Sequence, residues 1–264
     1  MTKEQLKKLR SWFINYVDGF YDTDDFANYN LKLKEDHSLR VCDEMQYLAT
    51  NLNLSENQRL LADTIALLHD IGRFRQFQQY RTYNDVRSVS HCLLGLEVIS
   101  QTRILDAFDS SEKALIEKAI EYHGIKQLPV DLDGDVLLFS QLIRDADKLD
   151  IYYLAIEYYK AGPKNPFYQM LEKEFPDKDE ISKQVLEDIL GNRTVDYKAL
   201  RTLNDFRVLQ LGWVYDVNFT ATLERIRQQE YLKEIFGYLP RSIDVEKIRT
   251  KIFKYVDSRI KQGS

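Results

Sequence analysis

Throughout this chain the apolar residues are spaced for helices. No stretch alternates with the period of two that a half-buried strand needs. Trp12, Phe13, Tyr16, Val17 and Phe20 share one helical face, and Leu39, Cys42, Met45 and Leu48 repeat the pattern over a segment from about Ser38 through Leu52. Ser55–Glu56–Asn57–Gln58 has the form of a capping box ahead of the apolar run Leu60–Leu68. That third helix is expected to stop near Gly72, where glycine can take the left-handed conformation. Residues 73–89, crowded with Arg and Tyr, read as irregular. Ser90 is placed to cap a helix carrying His91, Leu94 and Val98. Ser110 or Ser111 starts another, which runs through Ile116 and Ile120 to His123 and stops at Gly124. Val136–Tyr159 reads as one long helix, and helical character returns over Phe206–Glu230 and Val245–Ile260. With only ten glycines besides, the expected fold is all-α.

A chain of 264 residues suffices for one large domain, and a single domain over residues 1–264 is expected. Pro163, Pro166 and Pro176 interrupt residues 161–201, which read as an inserted lobe or lid ahead of C-terminal helices over about 202–262. The net charge of −5 argues against wrapping polymeric nucleic acid, while a small anion needs only a local basic pocket. Cys42 and Cys92 are too few for a disulfide framework and read as reduced, buried thiols. The charged stretch Met1–Arg10 lacks the apolar core of a signal peptide, and no apolar run approaches the roughly 18 residues of a membrane span. The expectation is a cytoplasmic protein without a membrane partner; a homo-oligomer is compatible with the sequence.

All four histidines fall in one ordered series with acidic partners: His37, His69–Asp70, His91, His123 and then Asp145–Ala146–Asp147. Imidazole and carboxylate are the ligands of borderline divalent metals. A single histidine near a helix end is more often a dipole partner than a ligand, so the case rests on the set. Asp70 has two carboxylate oxygens and can bridge two ions. His37, His69 and an aspartate of the Val136–Tyr159 helix would complete one shell, and His91 and His123 would hold the other ion. Such a pair activates water and clamps the oxygens of an in-line displacement at phosphorus. Iron or manganese is favoured; cobalt, nickel, zinc and magnesium also suit the donors.

These residues resemble the HD superfamily of metal-dependent phosphohydrolases. The resemblance lies in His37, in Leu67–Leu68–His69–Asp70–Ile71–Gly72 and in Asp145–Ala146–Asp147–Lys148–Leu149–Asp150, and it covers about residues 31–155. Ser90–His91, followed by Gly95 and Ile99, and Tyr122–His123–Gly124 are similar to the subfamilies with two metals. The resemblance implies a helical bundle of HD type with an additional C-terminal helical region. It also implies Asp147 as the closing ligand, after Ala146 and before Leu149, with Asp145 as an alternative ligand or a residue orienting a histidine. The Gly-Tyr-Pro extension of the cyclic-dinucleotide group is missing, which argues against that substrate.

The segment Arg73–Tyr83, with Arg87, places four arginines between the two halves of the series. Guanidinium groups grip phosphate bidentately. Arg73, directly after the His-Asp pair, is the expected catalytic cation beside Asp70, with Arg81, Tyr83 and Lys148 as further substrate-binding residues. The aromatic run Gln210–Phe219 reads as core, with Asp216 able to reach toward a pocket. The expected function is hydrolysis of a phosphoester or phosphoanhydride of a small phosphorylated molecule, with a nucleotide as the first substrate class. Two alternatives use the same ligands: a two-iron oxygenase acting on an inositol- or phosphonate-like substrate, and a non-catalytic metal-dependent regulatory protein.

Overall fold

The computed structural model describes residues 1–263, apart from the side chains of Phe167 and Met170. Every regular element among the described residues is a helix, as the apolar spacing predicts. The chain divides into two compact units, residues 1–147 and residues 148–264, where the sequence suggests one domain with a core over about 31–155. Among the described residues no helix is long and apolar enough to cross a membrane.

The first unit is built on α1 (Lys3–Asp18), α2 (Asp25–Asn51), α3 (Glu56–Leu68), α4 (Ile71–Tyr80), α5 (His91–Thr102), α6 (Ser110–His123) and the first half of α7 (Gly134–Ala161). Capping boxes start two of them, Thr2 with Gln5 on α1 and Ser55 with Gln58 on α3. All residues from Leu61 to Leu68 are buried, so α3 is enclosed on every side and forms the centre of the unit. Helices α1, α2 and α6 pack around it, while α4 lies against α2 and α5.

Two expectations fail at the α3–α4 junction. Residues 73–80 are helical rather than irregular, and α3 ends at Leu68, before Gly72. The driving pattern is Ile71, Phe74 and Phe77, buried at i, i+3 and i+6, which the intervening Arg and Gln residues mask. Phe74 is fully buried against Phe13, Tyr16 and Phe20, with ring centroids 6.0–6.5 Å apart. The stop comes instead at Arg81, which takes φ 53° and donates its backbone N–H to the Phe77 carbonyl. Gly72 lies inside α4 for a steric reason. A Cβ there would sit 2.1 Å from the His91 carbonyl oxygen and 2.5 Å from the Gly95 nitrogen, so only glycine lets the starts of α4 and α5 touch.

The second unit holds the rest of α7 with α8 (Pro166–Glu174), α9 (Lys183–Leu190), α10 (Leu203–Gly212), α11 (Thr220–Gln228), α12 (Tyr231–Gly237) and α13 (Ile243–Gly263). Residues 161–201 carry α8, α9 and two single 3₁₀ turns. Their attachment to α10 runs through Asp205. This fully buried carboxylate accepts from the Ser182 backbone and hydroxyl, at 2.7 and 2.6 Å, and from the Arg201 and Thr202 backbones, at 2.8 and 3.1 Å. Gln210 anchors Tyr152, whose hydroxyl donates to its carbonyl at 2.9 Å, so the start of the aromatic run is core.

The two glycines at the α4–α5 contact separate steric need from helix propensity. Gly72→Ala is expected to destabilise the protein by at least about 1–3 kcal/mol, the usual cost of overpacking. Gly95→Ala, whose added Cβ meets only ordinary 3.5 Å contacts, should stay within about 1 kcal/mol of wild type or gain stability. Urea unfolding of both variants checks the difference.

Candidate metal centre

Six helices, α2 to α7, deliver donors to one place in the first unit. His37 lies midway along α2, His69 caps the end of α3, and Asp70 occupies the cap position of α4. His91 opens α5, His123 closes α6 and Asp147 sits on α7. The Asp70 side chain makes no capping hydrogen bond to α4, which leaves its carboxylate directed at the histidines.

Hydrogen bonds on the far side of three rings fix which nitrogen faces inward. His69 Nδ1 lies 2.7 Å from the Ala66 carbonyl and His123 Nδ1 lies 2.6 Å from the Ile120 carbonyl. A carbonyl can only accept, so both Nδ1 atoms carry hydrogen. His91 Nδ1 lies 2.6 Å from Asp85 Oδ2, and hydrogen bonding to His91, working against the cost of partial burial, holds the Asp85 carboxyl down at about 2. In the neutral rings each Nε2 is then a bare acceptor. Yet His91 Nε2 and His123 Nε2 face each other at 3.0 Å, and His37 Nε2 and His69 Nε2 at 3.3 Å. Two facing acceptors, as at His91 and His123, repel unless a cation or a proton lies among them.

Asp70 stands between the two pairs, and its oxygens divide. Oδ2 is 3.5 Å from His37 Nε2 and 3.7 Å from His69 Nε2, while Oδ1 is 3.5 Å from His91 Nε2 and 3.7 Å from His123 Nε2. Asp147 Oδ1 joins the first pair, 3.2 Å from His37 Nε2. Donors held about 2.0–2.2 Å from one ion lie roughly 3.0–3.5 Å from one another, and both groups come within 0.2 Å of that spacing. The charge balance agrees. Despite the cost of burial, Lys34, His69 and Arg73 hold the Asp70 carboxyl well below its usual range. Burial opposes a charge on His123, but hydrogen bonds to Asp70 and Cys92 outweigh it and raise the ring to about 10. Burial takes His69 down to about 3. A divalent ion in each half would satisfy the facing acceptors that protons satisfy only in part.

The structure thus brings His37, His69, Asp70, His91, His123 and Asp147 together. Asp145, two residues back on α7 and so roughly 200° around the helix, is fully buried. Arg73 reaches Asp70 Oδ1 through Nε at 3.3 Å, but its Nη1 donates to Gln76, the Tyr83 carbonyl and Asp85, at 2.9, 2.6 and 2.9 Å. It ties Asp70 to the loop that carries Asp85. Tyr83 supports this strap: its hydroxyl donates to the Asn30 carbonyl at 2.8 Å, and its ring lies 6.0 Å from the Arg73 guanidinium. Arg81 lies away from the donors, exposed and paired with Asp24 at 3.1 Å. Lys148 begins the second unit and pairs with Asp216 at 2.9 Å.

Four contributors do not emerge from the sequence analysis. Lys34 Nζ is 2.8 Å from Asp70 Oδ2, one helical turn before His37 on α2. Asp85 orients His91, and the buried Gln76 amide holds the Asp85 loop through Asp85, Ser88 and the Val89 carbonyl at 2.8–2.9 Å. Arg144, on α7, donates to the Ile125 carbonyl just beyond His123. The i−3 spacing of Lys34 from His37 was a readable signal; the other three depend on tertiary contacts.

Carboxylates behind metal-bound histidines typically contribute 10–100-fold to affinity. Asp85→Asn is therefore expected to weaken the binding of one of two ions by about 10–100-fold and to leave the other within a few-fold, measured by competition with a chromophoric chelator. Equal affinities in variant and wild type would contradict this role.

Comparison with known proteins agrees with the site. No curated protein and no solved structure matches the chain. The HD domain family model matches residues 35–152, an interval that contains all six converging donors. Domains of this family bind divalent metals, and the two donor groups that fit an ion here, His37–His69–Asp70 and His91–Cys92–His123, fall within it. Over residues 35–152 this chain matches the HD domain family model, the family that its ordered His and Asp series resembles.

Proposed function

We propose that the first unit is a two-metal phosphohydrolase centre that cleaves a phosphoester or phosphoanhydride of a small phosphorylated molecule, with nucleotides as the first substrate class. One observation carries the reading: the two oxygens of Asp70 face two separate histidine pairs, each with its Nε2 atoms turned inward. Bound there, a pair of divalent ions supplies an activated water and neutralises charge developing at phosphorus. His37, His69, Asp70 and Asp147 would hold one ion, and Asp70, His91 and His123 the other.

The chain's own residues account for access and charge. The side chains of the histidines and Asp70 are at most 5 % exposed, while that of Asp147 is 24 % exposed, so solvent and substrate approach from the Asp147 side. Lys34 and Arg73 flank Asp70, one on each oxygen. Once metal takes up the carboxylate charge, the Lys34 ammonium and Arg73 Nη2 are positioned to donate to phosphate oxygens. The Tyr83 ring, 5.6 Å from Lys34 Nζ, steadies the ammonium through its π face.

The reading is tested with protein loaded with manganese under anaerobic conditions and assayed for phosphate release from nucleoside mono- and triphosphates and a generic phosphoester. Turnover is expected with at least one phosphorus substrate. Lys34→Ala should raise KM by about 10–100-fold, the worth of a charge-assisted hydrogen bond, with metal content unchanged. Absence of phosphate release at full metal occupancy, or turnover only with oxygen and iron, would overturn the proposal.

A further inference from the structure

One reactive side chain in the second half of the centre has no place in that account. Cys92 follows His91 on α5 and is 4 % exposed. Its Sγ lies 3.5 Å from His91 Nε2 and 3.6 Å from the His123 ring at Nδ1. His123 Nδ1 already donates to the Ile120 carbonyl, so that hydrogen is not available to the sulfur. His91 Nε2, in the tautomer set by Asp85, has no hydrogen to give. The sulfur therefore sits 3.5 Å from an inward-facing acceptor, at the edge of both rings.

Two further features fit a ligand better than a filler. A nitrogen at about 2.1 Å and a sulfur at about 2.3 Å on one ion lie roughly 3.1–3.6 Å apart, and the 3.5 Å between Cys92 Sγ and His91 Nε2 falls in that range. The backbone also yields space to the sulfur. A Cβ at Gly124 would stand 2.6 Å from Cys92 Sγ and 3.0 Å from His91 Cε1, so the glycine after His123 keeps room for both side chains. Cys42, the other cysteine, lies elsewhere in the core with its Sγ 3.8 Å from the Asp63 carbonyl.

We propose that Cys92 is a third side-chain donor, with His91 and His123, to the ion held on Asp70 Oδ1, which makes that half of the centre a thiolate site. The thiol binds as thiolate and its proton leaves to solvent. The two halves then differ in kind: nitrogen and oxygen donors around His37, and an added soft donor around His91 that favours zinc, cobalt or iron(II) over manganese and magnesium. This inference rests on the two-metal reading above.

The test titrates chelator-stripped protein with cobalt(II) under argon. Bound ions are counted by equilibrium dialysis while the optical spectrum is recorded. Wild type is expected to bind two ions and to develop a near-ultraviolet thiolate-to-cobalt charge-transfer band. Cys92→Ser should lose the band and weaken cobalt at one position by at least 10-fold, while Cys42→Ser keeps both. Two bound ions without a charge-transfer band, or a band that survives Cys92→Ser, would overturn the role of Cys92 and leave the two-metal reading standing. Fewer than two bound ions would overturn both. X-ray absorption of zinc-loaded wild type needs no variant: a sulfur shell at about 2.3 Å is expected, and nitrogen and oxygen shells alone would overturn the proposal.

Discussion

The first unit is organised around an electrostatic conflict: four inward-facing imidazole nitrogens and two carboxylates share a buried space with few hydrogens to offer them. Leaving one buried acceptor unsatisfied costs about 1–3 kcal/mol, and here inward ring nitrogens face each other at 3.0 and 3.3 Å. Lys34 and Arg73 relieve part of the conflict at Asp70, and protonation of His123 relieves another part. Neither reaches both histidine pairs. Divalent cations do, which is why the arrangement reads as a binding site rather than as a satisfied polar core.

The rest of the unit keeps that conflict in place. The Ala66 and Ile120 carbonyls and Asp85 fix three rings from behind, so the inward nitrogens are set before any ion arrives. Gly72 lets α4 and α5 approach until His91 stands across from Asp70, and Gly124 leaves room beneath His91 and Cys92. Arg73 joins Asp70 to Asp85, one carboxylate facing the ions and one behind a ligand, so the loop after α4 and the α3–α4 junction are held as one piece. The cations beside Asp70 and the donors around it are thus one network.

The helical class and the ligand series were legible in the sequence for separate reasons. Helical spacing is local, and an ordered set of His and Asp residues is unusual enough in combination to identify the site without its geometry. Asp147 over Asp145 rests on family pattern; Asp147 Oδ1 stands 3.2 Å from His37 Nε2, and two residues apart the side chains point to different sides of α7. Where reasoning failed, a local cue was read without its tertiary context. Gly72 looked like a helix terminator and is instead a close-approach glycine inside α4. The Arg-rich stretch looked like a loop because its buried positions, Ile71, Phe74 and Phe77, are sparse among polar residues. Asp85 and Gln76 carried no signal, since their roles exist only once the loop folds back on His91.

The most direct test of the central claim, that Asp70 joins two ions held by separate histidine pairs, is the electron paramagnetic resonance spectrum of the manganese-loaded protein. Two ions about 3.5–4 Å apart and sharing one carboxylate should give an exchange-coupled spectrum at two manganese per chain, and Asp70→Asn should abolish the coupling. One manganese per chain at saturation, or two with the six-line spectrum of isolated ions, would contradict the account.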